Sequence, residues 1–136
     1  MLNEQDFLGD WSLARQIDDR AGGQSGQMIG RASFVRADDH VLYREAGQMR
    51  LGNGPAMSAE RSYIWRFENG VTVQFADGRP FHQFIPSGQV DGTNHPCGDD
   101  FYRVKYDFTG WPDWSATWRV TGPRKDYTSI THYTRL

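Results

Sequence analysis

The sequence predicts an all-β fold: a closed or nearly closed antiparallel up-and-down β-barrel of about ten strands, with a short N-terminal helical turn. Three observations carry this prediction. Hydrophobic residues are 38% of the 136 and aromatics 14%, so the apolar content leans on large rings that suit pleated strands. Fifteen glycines and recurrent turn dipeptides divide the chain into short runs of alternating apolar and polar side chains. No long segment keeps the helical period of about 3.6 residues.

The elements follow in order. Asn3 caps a helical turn through Leu8, with Asp6 three positions on completing a capping box. Strands are predicted near Trp11–Asp18, Gly26–Arg36, His40–Gly47, Met57–Phe67, Val71–Ala76 and Pro80–Pro86. Four more fall near Thr93–Cys97, Asp100–Phe108, Trp114–Thr121 and Tyr127–Arg135. Ala21-Gly22-Gly23-Gln24-Ser25 is a flexible connection between the first two. The length suits one domain over residues 1–136, with no linker or low-complexity tract.

The formal net charge is −2 and the isoelectric point about 6.0, so no basic excess points to nucleic acid or a membrane surface. Cys97 is the only cysteine, which excludes an internal disulfide. The opening Met1-Leu2-Asn3-Glu4-Gln5-Asp6 has no basic region followed by an apolar run. No stretch reaches the roughly 20 apolar residues of a membrane span. A cytoplasmic protein is the expectation.

Register follows from turns. Asn69-Gly70 and Asp77-Gly78 tolerate positive φ at both central positions, as a two-residue type I′ hairpin demands. Taken as such turns, they set Arg66 against Val73, Ile64 against Phe75, Phe75 against Pro80 and Val73 against His82. One face then carries Ile64, Val71, Val73, Phe75, His82 and Phe84. The other carries Tyr63, Trp65, Phe67, Gln74, Phe81 and Gln83. Both are partly apolar; the first is preferred as the interior.

A tight turn at Gly98-Asp99 places Cys97 opposite Asp100 and His95 opposite Tyr102. Tyr102, Val104, Tyr106 and Phe108 alternate with Arg103, Lys105 and Asp107, so the first set belongs in the core. His95, Cys97 and Asp100 are then expected inward, with His82 across from His95 if the loop from Ser87 to Gly92 is symmetric. The candidate ligand-binding set is His82, His95, Cys97, Asp100 and Tyr102, with Arg124 and Lys125 in the final turn gripping an anionic ligand at the barrel mouth. The alternative reading is buried groups that satisfy one another and ordered water.

Gly9-Asp10-Trp11 opening the first strand, with Arg135 ending the last, resembles the signature of the calycins, the lipocalin-like barrels. The resemblance implies that Trp11 packs across the closed end and Arg135 lies over its ring, a structural barrel closure worth roughly 0.5–2 kcal/mol. Asp77-Gly78-Arg79-Pro80-Phe81-His82, Cys97-Gly98-Asp99-Asp100-Phe101-Tyr102-Arg103 and Trp118-Arg119-Val120-Thr121-Gly122-Pro123-Arg124-Lys125-Asp126-Tyr127 resemble a small bacterial family grouped with the calycins. That family is known only as a domain of unknown function, so the resemblance implies a fold and transfers no catalytic residue.

The leading functional expectation is a barrel holding a small, partly polar organic ligand. A second is a small enzyme, with Cys97 as nucleophile, His95 or His82 as base and Asp100 as orienter. The third is a protein-interaction module using Tyr63, Trp65 and Phe81 as outer aromatics over a side-chain-filled core. His82, His95 and Cys97 are also residue types of a zinc site, but His-x-Cys is a low-specificity pattern. His132 sits late in the chain, as the haem histidine does in the nitrobindins. Neither feature is enough to indicate a metal or cofactor. Trp111-Pro112-Asp113-Trp114 is expected either to cap the barrel or to form a homodimer contact.

Overall fold

A computed structural model describes residues 1–136 as eleven strands and one short helix. Helix α1 (Glu4–Phe7) opens the chain, and the Asn3 N–H donates to the Asp6 carboxylate at 2.8 Å. The strands are β1 (Gly9–Asp19), β2 (Gln24–Ala37), β3 (His40–Leu51), β4 (Met57–Arg66), β5 (Val71–Phe75) and β6 (Pro80–Phe84). They continue as β7 (Gln89–Asp91), β8 (His95–Cys97), β9 (Asp100–Asp107), β10 (Trp114–Thr121) and β11 (Asp126–Arg135). No helix is long and apolar enough to cross a membrane.

The sheet runs β6-β5-β4-β3-β2-β1-β11-β10-β9-β7, with β8 also paired to β9. This is the up-and-down order expected of a nearly closed antiparallel barrel, with the first and last strands joined along Trp11↔Arg135 to Asp19↔Tyr127. Every neighbouring pair is antiparallel. The seam lies between β6 and the β7–β8 segment. There Thr93 N–H bonds the Gln83 carbonyl at 2.9 Å, and the Thr93 hydroxyl accepts the Gln83 N–H at 3.0 Å.

The strand predicted at Thr93–Cys97 is β8, and a further short strand, β7, precedes it. Gly92 N–H still bonds Val104 on β9, at 2.8 Å, but Thr93 turns to Gln83 on β6. The chain therefore leaves one partner for the other, and the ladder on β9 is interrupted.

Two registers differ from expectation. Arg66 pairs with Thr72 rather than Val73, so Trp65 faces Val73 and Tyr63 faces Phe75. Asn69 and Gly70 do adopt positive φ (55° and 100°), but the connection is one residue longer than a two-residue turn. With a side-chain period of two, a one-residue slip exchanges the faces. Trp65 is therefore buried (4% exposed), while Ile64 shares neither face nor burial with Val73. The second hairpin keeps Val73↔His82, then bulges at Val73/Gln74 so that Gln74 meets Pro80. As a result Phe81 and His82 are both buried. Tyr63, Trp65 and Phe81, expected outside in the interaction reading, belong to the interior cluster or pack on it.

Gly30 faces Gly47 where β2 crosses β3. A Cβ at either would lie 2.1 or 2.3 Å from the opposing strand's carbonyl oxygen, so only glycine allows this close approach.

One end of the barrel is shut by aromatics. Phe7 is fully buried among Phe34, Trp65, Phe67, Phe108, Trp111 and Trp114, with ring centroids 5.0–5.9 Å away. Trp111 and Trp114 cap this end of the barrel. The Trp11 indole N–H bonds the Phe7 carbonyl at 2.9 Å. Arg135 lies over the Trp11 ring at 3.9 Å and donates to the carbonyls of Leu8 (2.9 Å) and Asp6 (2.5 Å). It thus ties the last strand to the C-terminal end of α1.

Arg135→Ala is expected to lower unfolding free energy by about 1–3 kcal/mol, the sum of a cation–π contact and backbone hydrogen bonds. Arg135→Lys should recover only part, because an ammonium lacks the planar fork. Urea denaturation of the three proteins checks this; a loss below about 0.5 kcal/mol would show that the clamp contributes nothing.

Candidate functional site

The other end of the barrel holds a plug of aromatic side chains. Phe81 is its hub, 5.2 Å from Trp118, 4.8 Å from Phe75 (stacked), 5.4 Å from His95 and 5.7 Å from Tyr102. Tyr63 closes the ring, 6.0 Å from both Phe81 and Trp118. Phe81 is buried, whereas Tyr63, Phe75, His95, Tyr102 and Trp118 are half-buried. Three cations lie over the outer rings: Arg61 on Trp118 (5.4 Å), Arg79 on Phe75 (5.3 Å) and Lys125 on Tyr102 (5.9 Å).

Beneath the plug is a polar network. Alternation puts Arg15 on the same face as Trp11 and Leu13, and Glu45 on the same face as Val41 and Tyr43, so both point inward. They meet in a two-pronged ion pair, Nη1 to Oε2 at 2.7 Å and Nη2 to Oε1 at 2.8 Å. Arg15 is 7% exposed and Glu45 2%. The Arg15 Nε–H donates to Thr131 at 2.7 Å, and Tyr43 donates its hydroxyl proton to Glu45 at 2.7 Å. Tyr43 and Tyr133 hydroxyls lie 2.8 Å apart.

Burial pushes the Glu45 carboxyl up, but the Arg15 guanidinium and the Tyr43 hydroxyl outweigh it and hold the group below its ordinary value. Burial likewise opposes the Arg15 charge, and Glu45 more than offsets it. Both groups are therefore ionised. Burial raises the Tyr43, Tyr106 and Tyr133 phenols, keeping them neutral donors.

On the far wall His82 is 3% exposed, and its Nε2 lies 2.8 Å from the Tyr106 hydroxyl. Burial, and secondarily the neighbouring His95, push His82 down to about 3, so it is neutral. Its Nδ1 and the Trp114 Nε1 have no protein partner. Arg15, Tyr43, Glu45, His82, Trp114 and Tyr133 all line one internal void of about 20 Å³, room for about one water molecule. A much larger concavity, about 610 Å³, lies elsewhere along β1, β2 and β11, lined by groups such as Gln16, Asp18, Arg20 and Arg50. It is open and polar, and none of the buried polar groups reaches it.

The structure divides the residues singled out from sequence. His82 is in the interior, and Tyr102 and His95 are in the plug. The predicted pairs His95↔Tyr102 and Cys97↔Asp100 both form. Cys97, expected inward, is exposed, because at the strand end its alternation no longer has an interior to face. Asp100 is half-buried and is engaged by Lys125 at 3.2 Å. His82 does not face His95: it packs on Gly92, where a Cβ would come within 2.8 Å of the imidazole. Arg124 is exposed beside Cys97, Asp99 and Lys125 in an open surface hollow. His132 is exposed on the outer face. No three His, Cys, Asp or Glu side chains gather as a metal site would require. Arg15 and Glu45 were missed, though the signal was present: each is a charged residue on the core face of an alternating strand.

Residues 7–135 match the family described as "Family of unknown function (DUF6314)". The sequence matches none of the curated proteins. Among solved structures, the S-type phycobiliprotein lyase CPES from Guillardia theta is similar, with a TM-score of 0.65 and 8% identity over 98% of this chain and 90% of that one. A protein of unknown function from the DUF3598 family of Nostoc punctiforme gives a TM-score of 0.61 and 14% identity. All of this chain is covered there, but it spans only 50% of that protein. At such identities the likeness is one of fold.

Glu45→Ala should cost roughly 3–5 kcal/mol, because it strands a buried guanidinium, while the double change Arg15→Met/Glu45→Leu should cost far less. Chemical denaturation of the wild type and both variants checks this; a double variant as unstable as Glu45→Ala would mean that the stranded charge is not the cause of the loss. His82 makes a second, pH-dependent contribution. Its folded value of about 3 lies below the usual 6.5, so unfolding takes up a proton between those limits. Stability should fall on acidification through that window by up to about 1.4 kcal/mol per pH unit. The difference between the wild type and His82→Gln, followed from pH 7 to pH 4, isolates this slope, and parallel curves would contradict it.

Proposed function

We propose, for a chain that belongs to the DUF6314 family and so carries a fold without an assigned activity, that the barrel binds a small, partly polar organic molecule in its interior, beneath the aromatic plug. One observation carries the reading. An interior packed only for stability has no need of an ion pair, two phenols and an imidazole, since each buried polar group costs free energy unless fully paired. Here the Arg15–Glu45 pair, Tyr43, Tyr133 and His82 surround one void, and two ring nitrogens of residues lining it, His82 Nδ1 and Trp114 Nε1, lack protein partners. Mostly apolar walls with a few convergent polar groups are the usual composition of a ligand site.

The void is far smaller than an organic ligand, so binding requires the plug to move. Trp118 and Tyr63 are the rings to displace: both are half-buried and both line the void from the mouth side. Their outward face is polar, with Arg61 above Trp118, so a displaced ring is not left bare. The enzyme alternative has less support, because Cys97 is exposed, Asp100 is held by Lys125 and His82 is in the interior. The interaction reading loses its aromatics to the interior, although the small void still speaks for a filled core.

Titration with biliverdin, an open-chain tetrapyrrole chosen because the similar solved structure is named a phycobiliprotein lyase, is the first experiment. Saturable 1:1 quenching of tryptophan fluorescence is expected, with binding at least tenfold faster or tighter in Trp118→Ala. If neither protein binds, by fluorescence or native mass spectrometry, the interior is a packed core and the reading fails.

A further inference from the structure

We infer that the interior accepts the uncharged, hydrogen-bond-accepting part of its ligand, a carbonyl such as that of an amide or lactam, held by His82 Nδ1–H and Trp114 Nε1–H. This rests on the proposed interior site and goes further, assigning the chemistry of what enters it.

The first argument is charge balance. The only cation and the only anion lining the void are Arg15 and Glu45, and they are paired with each other at 2.7 and 2.8 Å. The remaining guanidinium edge is used by Thr131 and, more weakly, by the Met28 sulfur at 3.5 Å. A ligand carboxylate would have to displace Glu45 and leave it buried without a partner. A ligand ammonium would have to compete with Arg15 for Glu45. Either exchange strands a charge in a site of low dielectric, which is strongly unfavourable.

The second argument counts protons. Tyr43 gives its proton to Glu45, so in the Tyr43–Tyr133 contact Tyr133 is the donor, and both phenols are used. The Tyr106 hydroxyl has no other protein acceptor, so it donates to His82 Nε2. The neutral imidazole must then carry its own proton on Nδ1. Burial keeps the ring neutral, since its value is pushed down to about 3. That leaves two N–H donors without protein acceptors, on rings lining the same void, from β6 and β10. A carbonyl oxygen has two lone pairs and matches two donors without bringing charge.

Three probes that share the naphthalene ring system and differ in their heads test this: 1-naphthamide, 1-naphthoate and 1-naphthylmethylammonium, titrated calorimetrically at pH 7 into the wild-type protein and Trp118→Ala. The amide is expected to bind at least tenfold more tightly than either ion. Trp114→Phe, which keeps a ring but removes the donor, should weaken the amide about 5- to 30-fold, the loss of one buried hydrogen bond. The probe ranking is read on proteins with Trp114 intact, so it holds even if Trp114→Phe fails to fold. An ion bound as tightly as the amide overturns the inference and leaves interior binding standing. If no probe binds either protein, both fail, and the two N–H groups serve only a buried water.

Discussion

A guanidinium and a carboxylate locked together inside an aromatic barrel set most of the remaining geometry. Arg15 is on β1 and Glu45 on β3, with β2 between them, so their contact spans a strand rather than following a ladder. It holds only if both neighbouring registers are correct: Arg15 opposite Met28, and Ala32 opposite Glu45. A one-residue slip in either would turn one charge outward and strand the other. The close crossing of Gly30 and Gly47 belongs to the same inner face, where bulkier residues would force β2 and β3 apart. The pair also recruits Thr131 from β11, which ties the last strand to the first at mid-barrel.

The two ends of the barrel use the same materials to different effect. At the closed end Trp11 and Phe7 are fully buried, and Arg135 is bound to backbone carbonyls as well as to the Trp11 ring. At the other end the rings around Phe81 are half-buried, and Arg61, Arg79 and Lys125 lie over them from outside. The outer rings of the plug thus keep more of their surface exposed than Trp11 does. Motion of side chains is therefore expected at the plug rather than at the closed end. The seam adds a second soft element, because Gln83 and Thr93 supply hydrogen bonds where a full ladder would otherwise run.

Much of the architecture could be read from residue patterns. The strand sequence, the meander and the pairing of Cys97 with Asp100 rest on local alternation and turn chemistry, and short hairpins make those local signals sufficient; the role of Trp11 and Arg135 was implied only by the resemblance to the calycins. The site was less legible. His82 and Tyr102 were identified by parity, but Cys97 shares that parity and is exposed, because alternation says nothing about where a strand runs out of barrel. Arg15 and Glu45 carried a readable sign, yet neither side chain explains the other until β1 and β3 are brought together.

Sequence alone determined which segments become strands, the short β7 excepted, and it did so through a period of two and the backbone demands of Asn-Gly, Asp-Gly and Gly-Asp turns. Tertiary structure decided which face of β4 is inside, since a single extra residue around Asn69-Gly70 reverses the assignment that a two-residue turn implies, and a bulge after Val73 brings Phe81 inward beside His82. It also decided that Phe81 and its neighbours fill the mouth and that two opposite charges meet beneath them. Those outcomes depend on closure of the sheet, which brings together residues far apart in the chain, and no local pattern encodes a distance across a barrel.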